Sequence, residues 1–217
     1  MQKTTINGVI KENQELQQSE ENTSLISLPG EIYSKHPLEH RWVLWYFKQE
    51  KGKDWLEGQK KVAAIDTAED FWALFNYIQP PSCINVGCDY SFFKDGVQPM
   101  WEDASNHRGG RWIINMDKRM RNTELDSFWL ETLLAMIGEG FDSYSDEICG
   151  AVVNVRMKAD KLALWTKNCE DYQATISIGQ TFKQRLQIKR DGCLEYQPHH
   201  VASNKSNTSM TKSLYGL

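Results

Sequence analysis

Between Gln98 and Trp112 the chain reads Q-P-M-W-E-D-A-S-N-H-R-G-G-R-W, and it places Trp101 directly before a carboxylate, Glu102. An indole offers a flat, electron-rich face, and a carboxylate offers two acceptor oxygens in one plane. Side by side they suit a flat, electron-poor ring with adjacent N–H donors, such as a guanine made cationic by alkylation. The plainer alternative is a core tryptophan beside a solvated acid, since buried aromatics are the rule. Two further groups could take part. Trp55 is expected in a loop with Lys51, Lys53, Asp54 and Glu57 around it, charged neighbours that a core tryptophan rarely has. Arg156, Lys158 and Lys161 gather near one end of a strand pair, with Trp165 on the returning strand.

Composition narrows what such a site can serve. With a net charge of -4 and 40% hydrophobic residues, the 217-residue chain has no broad basic surface for duplex nucleic acid, so any anion must be held by a local cluster of cations. The longest apolar run, Trp42 to Phe47, is far short of the roughly 18 residues a membrane span needs. The N-terminus lacks the apolar core of a signal peptide, so the expected compartment is the cytoplasm, with the nucleus as a second. Cys83, Cys88, Cys149, Cys169 and Cys193 are odd in number and lack metal-ligand spacing, so reduced, mostly buried thiols are expected, with no metal and no cofactor. The histidines His36, His40, His107, His199 and His200 sit on edges and tails without a matching nucleophile, which argues against catalysis. Eight tryptophans exceed what the core of one domain needs, so some should work at the surface.

The elements follow from local pattern. Residues 1–35 are polar and aperiodic and are expected to form a disordered arm, leaving residues 36–217 as one domain with a flexible C-terminal loop at about 199–213. Arg41 to Lys48 suits a covered strand. Thr67 should cap a helix, with Asp70 reaching back, and Phe71, Leu74, Phe75 and Ile78 form its buried stripe. Trp72 lies about 100° from that stripe and should be at least half exposed. Cys88 to Val97 predicts a strand entering a tight hairpin at Asp95-Gly96, whose second strand leads to the Trp101 loop. Arg111 to Met116 is another strand. A helix over Glu124 to Gly140 carries two apolar stripes: Leu125, Phe128, Trp129, Leu133 and Met136 on one side, and Leu130, Leu134 and Ile137 on another. The second stripe, beside Trp72, either forms a groove for a partner helix or is simply buried. Ile148 to Met157 pairs with Lys161 to Thr166, a third helix spans about Glu170 to Leu186, and Cys193 to Gln197 is a last short strand. Hairpins among interleaved helices predict an α+β fold, a curved antiparallel β-sheet with three helices packed on its convex face.

In this order and spacing the chain resembles the messenger-RNA cap-binding translation initiation factor 4E family. The resemblance rests on H-P-L at 36–38, W-x-L-W at 42–45, D-T-x-E-D-F-W at 66–72, G-C-D-Y-S at 87–91, F-K-D-G at 93–96, P-M-W-E-D at 99–103, R-G-G-R-W at 108–112, F-W-L-E-T-L-L at 128–134 and C-G-A-V-V-N-V-R at 149–156.

The resemblance implies that Trp55 and Trp101 sandwich a 7-methylguanine, that Glu102 accepts hydrogen bonds from its base edge, and that Trp165 touches the added methyl. It implies further that Arg156 and Lys161 hold the phosphates, with Arg111 and Lys205 nearby. Methylation makes the base cationic, so each indole gains up to about 2 kcal/mol of cation–π attraction over neutral stacking. The resemblance also implies a second surface of His36, Pro37, Trp72, Leu130, Glu131 and Leu134. That surface grips Tyr-x-x-x-x-Leu-hydrophobic peptides of a 4G-type scaffold subunit and of 4E-binding repressor proteins. Ala68, where the family usually has a larger aliphatic, implies a shallower groove. Thr208 or Ser209 matches the regulatory phosphorylation site of animal members, with the choice open. The expected function is capture of the 7-methylguanosine cap of mRNA and recruitment of the scaffold, by a protein that is a monomer outside that complex. The alternative is a cap-binding translational repressor of the 4E-homologous type. Such relatives tend to lose tryptophan at the positions of Trp42 and Trp55, and both are kept here.

Overall fold

The computed structural model describes residues 34–49, 52, 55–200 and 213–217, with the backbone alone at 55 and 56. Residues 1–33 of the arm expected over 1–35, and most of the loop expected at 199–213, lie outside the described residues. The compact unit runs from Lys35 to Leu217.

Alternation along each strand sorts side chains onto two faces. In β1 (Pro37–Lys48) Trp42 and Leu44 are each 1% exposed and join the main core, while Val43, Trp45 and Phe47 point the other way. The same alternation recurs in β2 (Gln59–Thr67), β3 (Cys88–Lys94), β4 (Gly110–Asp117), β5 (Ile148–Asn154), β6 (Ala159–Thr166) and β7 (Leu194–Pro198). With β8 (Tyr215–Gly216) these form one curved, fully antiparallel sheet in the order β2-β1-β3-β5-β6-β4-β7-β8.

The convex face is covered by α2 (Ala68–Tyr77), α3 (Leu125–Ile137) and α4 (Tyr172–Arg185), as the α+β reading expects. Thr67 caps α2 as its sequence suggests: its hydroxyl accepts from Asp70 N (3.2 Å) and donates to the Asp70 carboxylate (2.6 Å). Such a cap contributes about 1 kcal/mol. Phe71 fills the core and Trp72 stays 43% exposed, a little less than expected because it leans edge-on against Phe71 and Phe75. In α3 the first stripe is buried around Trp129 except for Phe128, which is half-buried, and Leu130, Leu134 and Ile137 are half-covered, which leaves the second stripe at the surface.

Four expectations need correction. Asp95 and Gly96 do turn, with Gly96 at φ +90, but no strand follows: β3 pairs with β1 and β5, and the chain from Val97 enters a long loop. The hairpin signal specified the turn, whereas pairing was decided by which strands could bury Phe92 and Phe93. Trp55 does not sit in plain loop but opens α1 (Trp55–Gly58). β1 begins at Pro37 rather than Arg41, since Pro37 pairs with Thr67 across the sheet edge. Cys193 to Gln197, expected as the last strand, is followed by β8, which pairs with it at Glu195 and Tyr196.

The face opposite the helices carries a smaller apolar cluster of Phe93, Ile113, Cys149, Val152, Ala163 and Trp165. The polar residues of interest surround it.

Candidate functional site

The loop from Gln98 to Gly109 is rigid without being a strand or a helix, because polar side chains inside it replace the missing backbone ladder. Asn106, fully buried, donates to Gln98 O and Met100 O (both 2.8 Å). The Asp103 carboxylate accepts from Gln98 N (3.0 Å) and Ser105 N (2.8 Å). The loop is also tied to the sheet, with the Cys149 thiol donating to Ser105 O (3.4 Å). Gly109 and Gly110 close it by close approach. A Cβ on Gly109 would lie 1.8 Å from Thr166 O, and one on Gly110 would lie 2.6 Å from the Tyr196 hydroxyl. On this frame Trp101 is 46% exposed and Glu102 is exposed beside it, so the indole and the acid face solvent together.

The cations lie on the neighbouring strands. Along β4 and β6, Arg111 pairs with Trp165 and Asn115 with Lys161, and Asn154 of β5 pairs with Lys161 from the other side. Arg111, Lys161 and Trp165 therefore project from one face. Arg156 follows β5, where its guanidinium donates to both oxygens of the buried Asp89 carboxylate and to Val155 O (3.0 Å). Asp89 holds the Arg156 guanidinium still more firmly in its charged form. Burial is the larger influence on Asp89 and raises its carboxyl, against the opposing pull of Arg156.

The turn that carries Arg156 is pinned in turn. Asp160, fully buried, accepts from Arg156 N (2.9 Å), Arg121 Nε (2.7 Å) and Arg121 Nη2 (2.6 Å). The sequence reading marked Arg156 and Lys161 but passed over Asp89, Arg121, Asp160 and Asn106. Three of these four form pairs across the fold, which no local pattern reports. For Asn106 a signal existed: an asparagine eight residues past Gln98 in a loop rich in turn formers.

Trp165 is only 6% exposed. Phe93 meets it edge-on at 5.4 Å, the Arg111 guanidinium lies 5.8 Å from its ring centre, and the His199 imidazole covers it at 4.2 Å. The Trp55 side chain and Lys205 lie outside the described residues.

On the other side of the molecule, His36 is stitched to the first turn of α2. Its backbone carbonyl accepts from Ala68 N (2.9 Å), its N–H donates to Glu69 (2.9 Å), and its ring nitrogen Nδ1 meets the same carboxylate at 2.7 Å. These bonds hold Glu69 well below the usual carboxylate range, at about 2. Pro37 and Trp72 flank this stitch. Leu130 and Leu134 are half-buried on α3, which Asp126 fastens to Ser82 just beyond α2 (2.8 Å). Glu131 is drawn to Arg185 of α4 (3.6 Å).

Among the described residues no group of His, Cys, Asp or Glu could hold a metal ion, and no helix is long and apolar enough to cross a membrane.

The family model for eukaryotic initiation factor 4E matches residues 37–214. The chain belongs to that family. It is 52% identical over 185 residues to human eukaryotic translation initiation factor 4E, covering 85% of each chain. The solved structure of Ascaris suum eIF4E-3 with an m2,2,7G cap superposes at a TM-score of 0.78 with 44% identity, over 85% of this chain and 99% of that one. Caenorhabditis elegans eIF4E-3, solved with the 4E-binding protein Mextli and a cap analogue, gives 0.77 and 45% over 85% and 100%. The family's proteins are cap-binding translation initiation factors, not enzymes.

Proposed function

We propose that this protein captures the 7-methylguanosine 5′ cap of mRNA on the concave face of its sheet and recruits a 4G-type scaffold on the helical side, and that it does so in the cytoplasm. The observation that carries this reading is the placement of Arg111, Lys161 and Trp165 in register on two strands, with Arg156 at their end. Beside them runs a rigid loop that exposes Trp101 and Glu102. The exposed indole stacks on the alkylated base, and its attraction grows with the positive charge that methylation adds. Glu102 accepts the N–H donors of the guanine edge, a pattern adenine does not present. Arg156 and Lys161 neutralise the phosphate chain, so binding weakens with salt. Trp55 supplies the second face of the sandwich on this reading.

Support also comes from the two nematode neighbours, both solved with cap or a cap analogue and one with a 4E-binding protein. Kept tryptophan at positions 42 and 55 favours the initiation role over the repressor role. Titrating intrinsic tryptophan fluorescence with 7-methyl-GTP tests it. Saturable quenching, much weaker with unmethylated GTP, is expected, and equal response to the two nucleotides refutes it.

A further inference from the structure

We propose that His199 joins Arg111 and Trp165 in a three-nitrogen cradle that takes one anionic oxygen of the nucleotide phosphate nearest the base. The inference rests on the cap-binding reading and adds a contact to that site.

On packed neighbouring side chains of the concave face, three buried nitrogens have no hydrogen-bond partner among the described residues: Arg111 Nε, Trp165 Nε1 and His199 Nε2. They come from β4, β6 and the residue just after β7, so no single loop geometry explains them. The side chains that carry them pack together: the imidazole and indole ring centres are 4.2 Å apart, and the guanidinium carbon lies 5.8 Å from the indole ring centre. Buried donors are nearly always satisfied, and leaving even one unmade is costly. Three together in a folded chain describe a place prepared for an acceptor.

The chemistry of the three fixes what that acceptor is. Guanidinium and indole can only donate, and a neutral imidazole donates from one nitrogen, here Nε2 in the matching tautomer. Burial, with the charge of Arg111 beside it, keeps the His199 imidazole neutral, its pKa held down at about 3. Among the described residues Arg111 has no carboxylate partner, so the site carries an uncompensated positive charge. It therefore suits an anionic oxygen better than a neutral one. His199 is also positioned by the backbone: its N–H donates to Gly109 O (3.0 Å), the same glycine that closes the Trp101 loop. Along the β4–β6 ladder the cradle is four residues from Lys161, or about 13 Å at about 3.3 Å per residue. That places it at the base end of a phosphate chain whose far end meets Lys161 and Arg156.

The test compares wild type with His199→Phe and His199→Ala against 7-methylguanosine, its 5′-monophosphate and its 5′-triphosphate, by fluorescence titration. Phenylalanine keeps a ring against Trp165 and removes the nitrogen, and far-UV dichroism checks that the variant is folded. Both variants are expected to lose about tenfold in affinity for the monophosphate, the worth of one charge-assisted hydrogen bond, while His199→Phe keeps wild-type affinity for the nucleoside. Equal loss for nucleoside and monophosphate in His199→Phe, or no loss for either, overturns the cradle alone. Wild type that binds none of the methylated compounds overturns the cap reading and the cradle with it.

Discussion

Asp89 on β3 holds the guanidinium of Arg156 through both carboxylate oxygens, so the cation offered at the end of the concave face is aimed by a residue 67 positions earlier in the chain. Replacing Asp89 by Asn removes the charge that fixes this geometry. The loss expected in 7-methyl-GTP affinity is about tenfold, the scale of a charged hydrogen bond, with little change for 7-methylguanosine itself. Isothermal titration with both ligands checks it. A parallel loss for the two would show that Asp89 supports the fold and not the phosphate contact.

Arg121 and Asp160 form the buried pair behind that arginine, with side chains 12% and 0% exposed. Arg121→Ala leaves Asp160 charged in the interior without its cation, with the Arg156 backbone N–H still donating to it, a change that costs about 3–5 kcal/mol. Urea denaturation should show a lowered midpoint with an unchanged slope. A loss below about 1 kcal/mol, the scale of a surface pair, contradicts the burial argument.

What the sequence disclosed and what it withheld divide along the same line. Thr67 with Asp70, the Phe71 stripe, the doubled stripe of α3 and the exposed Trp101 beside Glu102 are statements about neighbours in the chain, and local periodicity carries them. Asp89 with Arg156 and Arg121 with Asp160 are separated by 67 and 39 residues, and His199 reads only as a histidine near a polar tail until β7 brings it over Trp165. The Asp95-Gly96 error has the same root: a turn signal specifies the turn, but a partner strand is chosen by burial. The assignment of cations to phosphate came from family resemblance, because Arg111, Arg156 and Lys161 are scattered in sequence and meet only across β4, β5 and β6.

Trp72 is 43% exposed beside the His36–Glu69 stitch, so truncating it removes surface and little core. Trp72→Ala should lose binding to a Tyr-x-x-x-x-Leu-hydrophobic peptide by more than about 2 kcal/mol, as central aromatic anchors do, and keep 7-methyl-GTP affinity. Fluorescence anisotropy of a labelled peptide checks it, and equal binding by the two proteins removes the groove.

Stability should depend on pH through His199. Its folded pKa of about 3 lies below the ordinary 6.5, held there first by burial and then by Arg111 and His200. Between those values the unfolded chain takes up a proton that the folded chain does not. The contribution of the neutral imidazole is therefore complete above about pH 6.5 and falls as the pH drops toward 3, by at most about 1.4 kcal/mol per unit. His199→Phe lacks this linkage, so between about pH 7 and 5 its denaturation midpoint should fall less than that of wild type. Parallel declines would contradict a buried neutral His199.

The most direct test of the central claim is the affinity of Glu102→Ala for 7-methyl-GTP, titrated against wild type with far-UV dichroism to confirm the fold. Glu102 is exposed on a loop held by Asn106 and Asp103, so the variant should fold unchanged. Loss of the carboxylate removes the acceptors for the guanine edge, and affinity should fall by about a hundredfold or more, the worth of two charge-assisted hydrogen bonds. Full affinity in a folded Glu102→Ala protein would contradict the account.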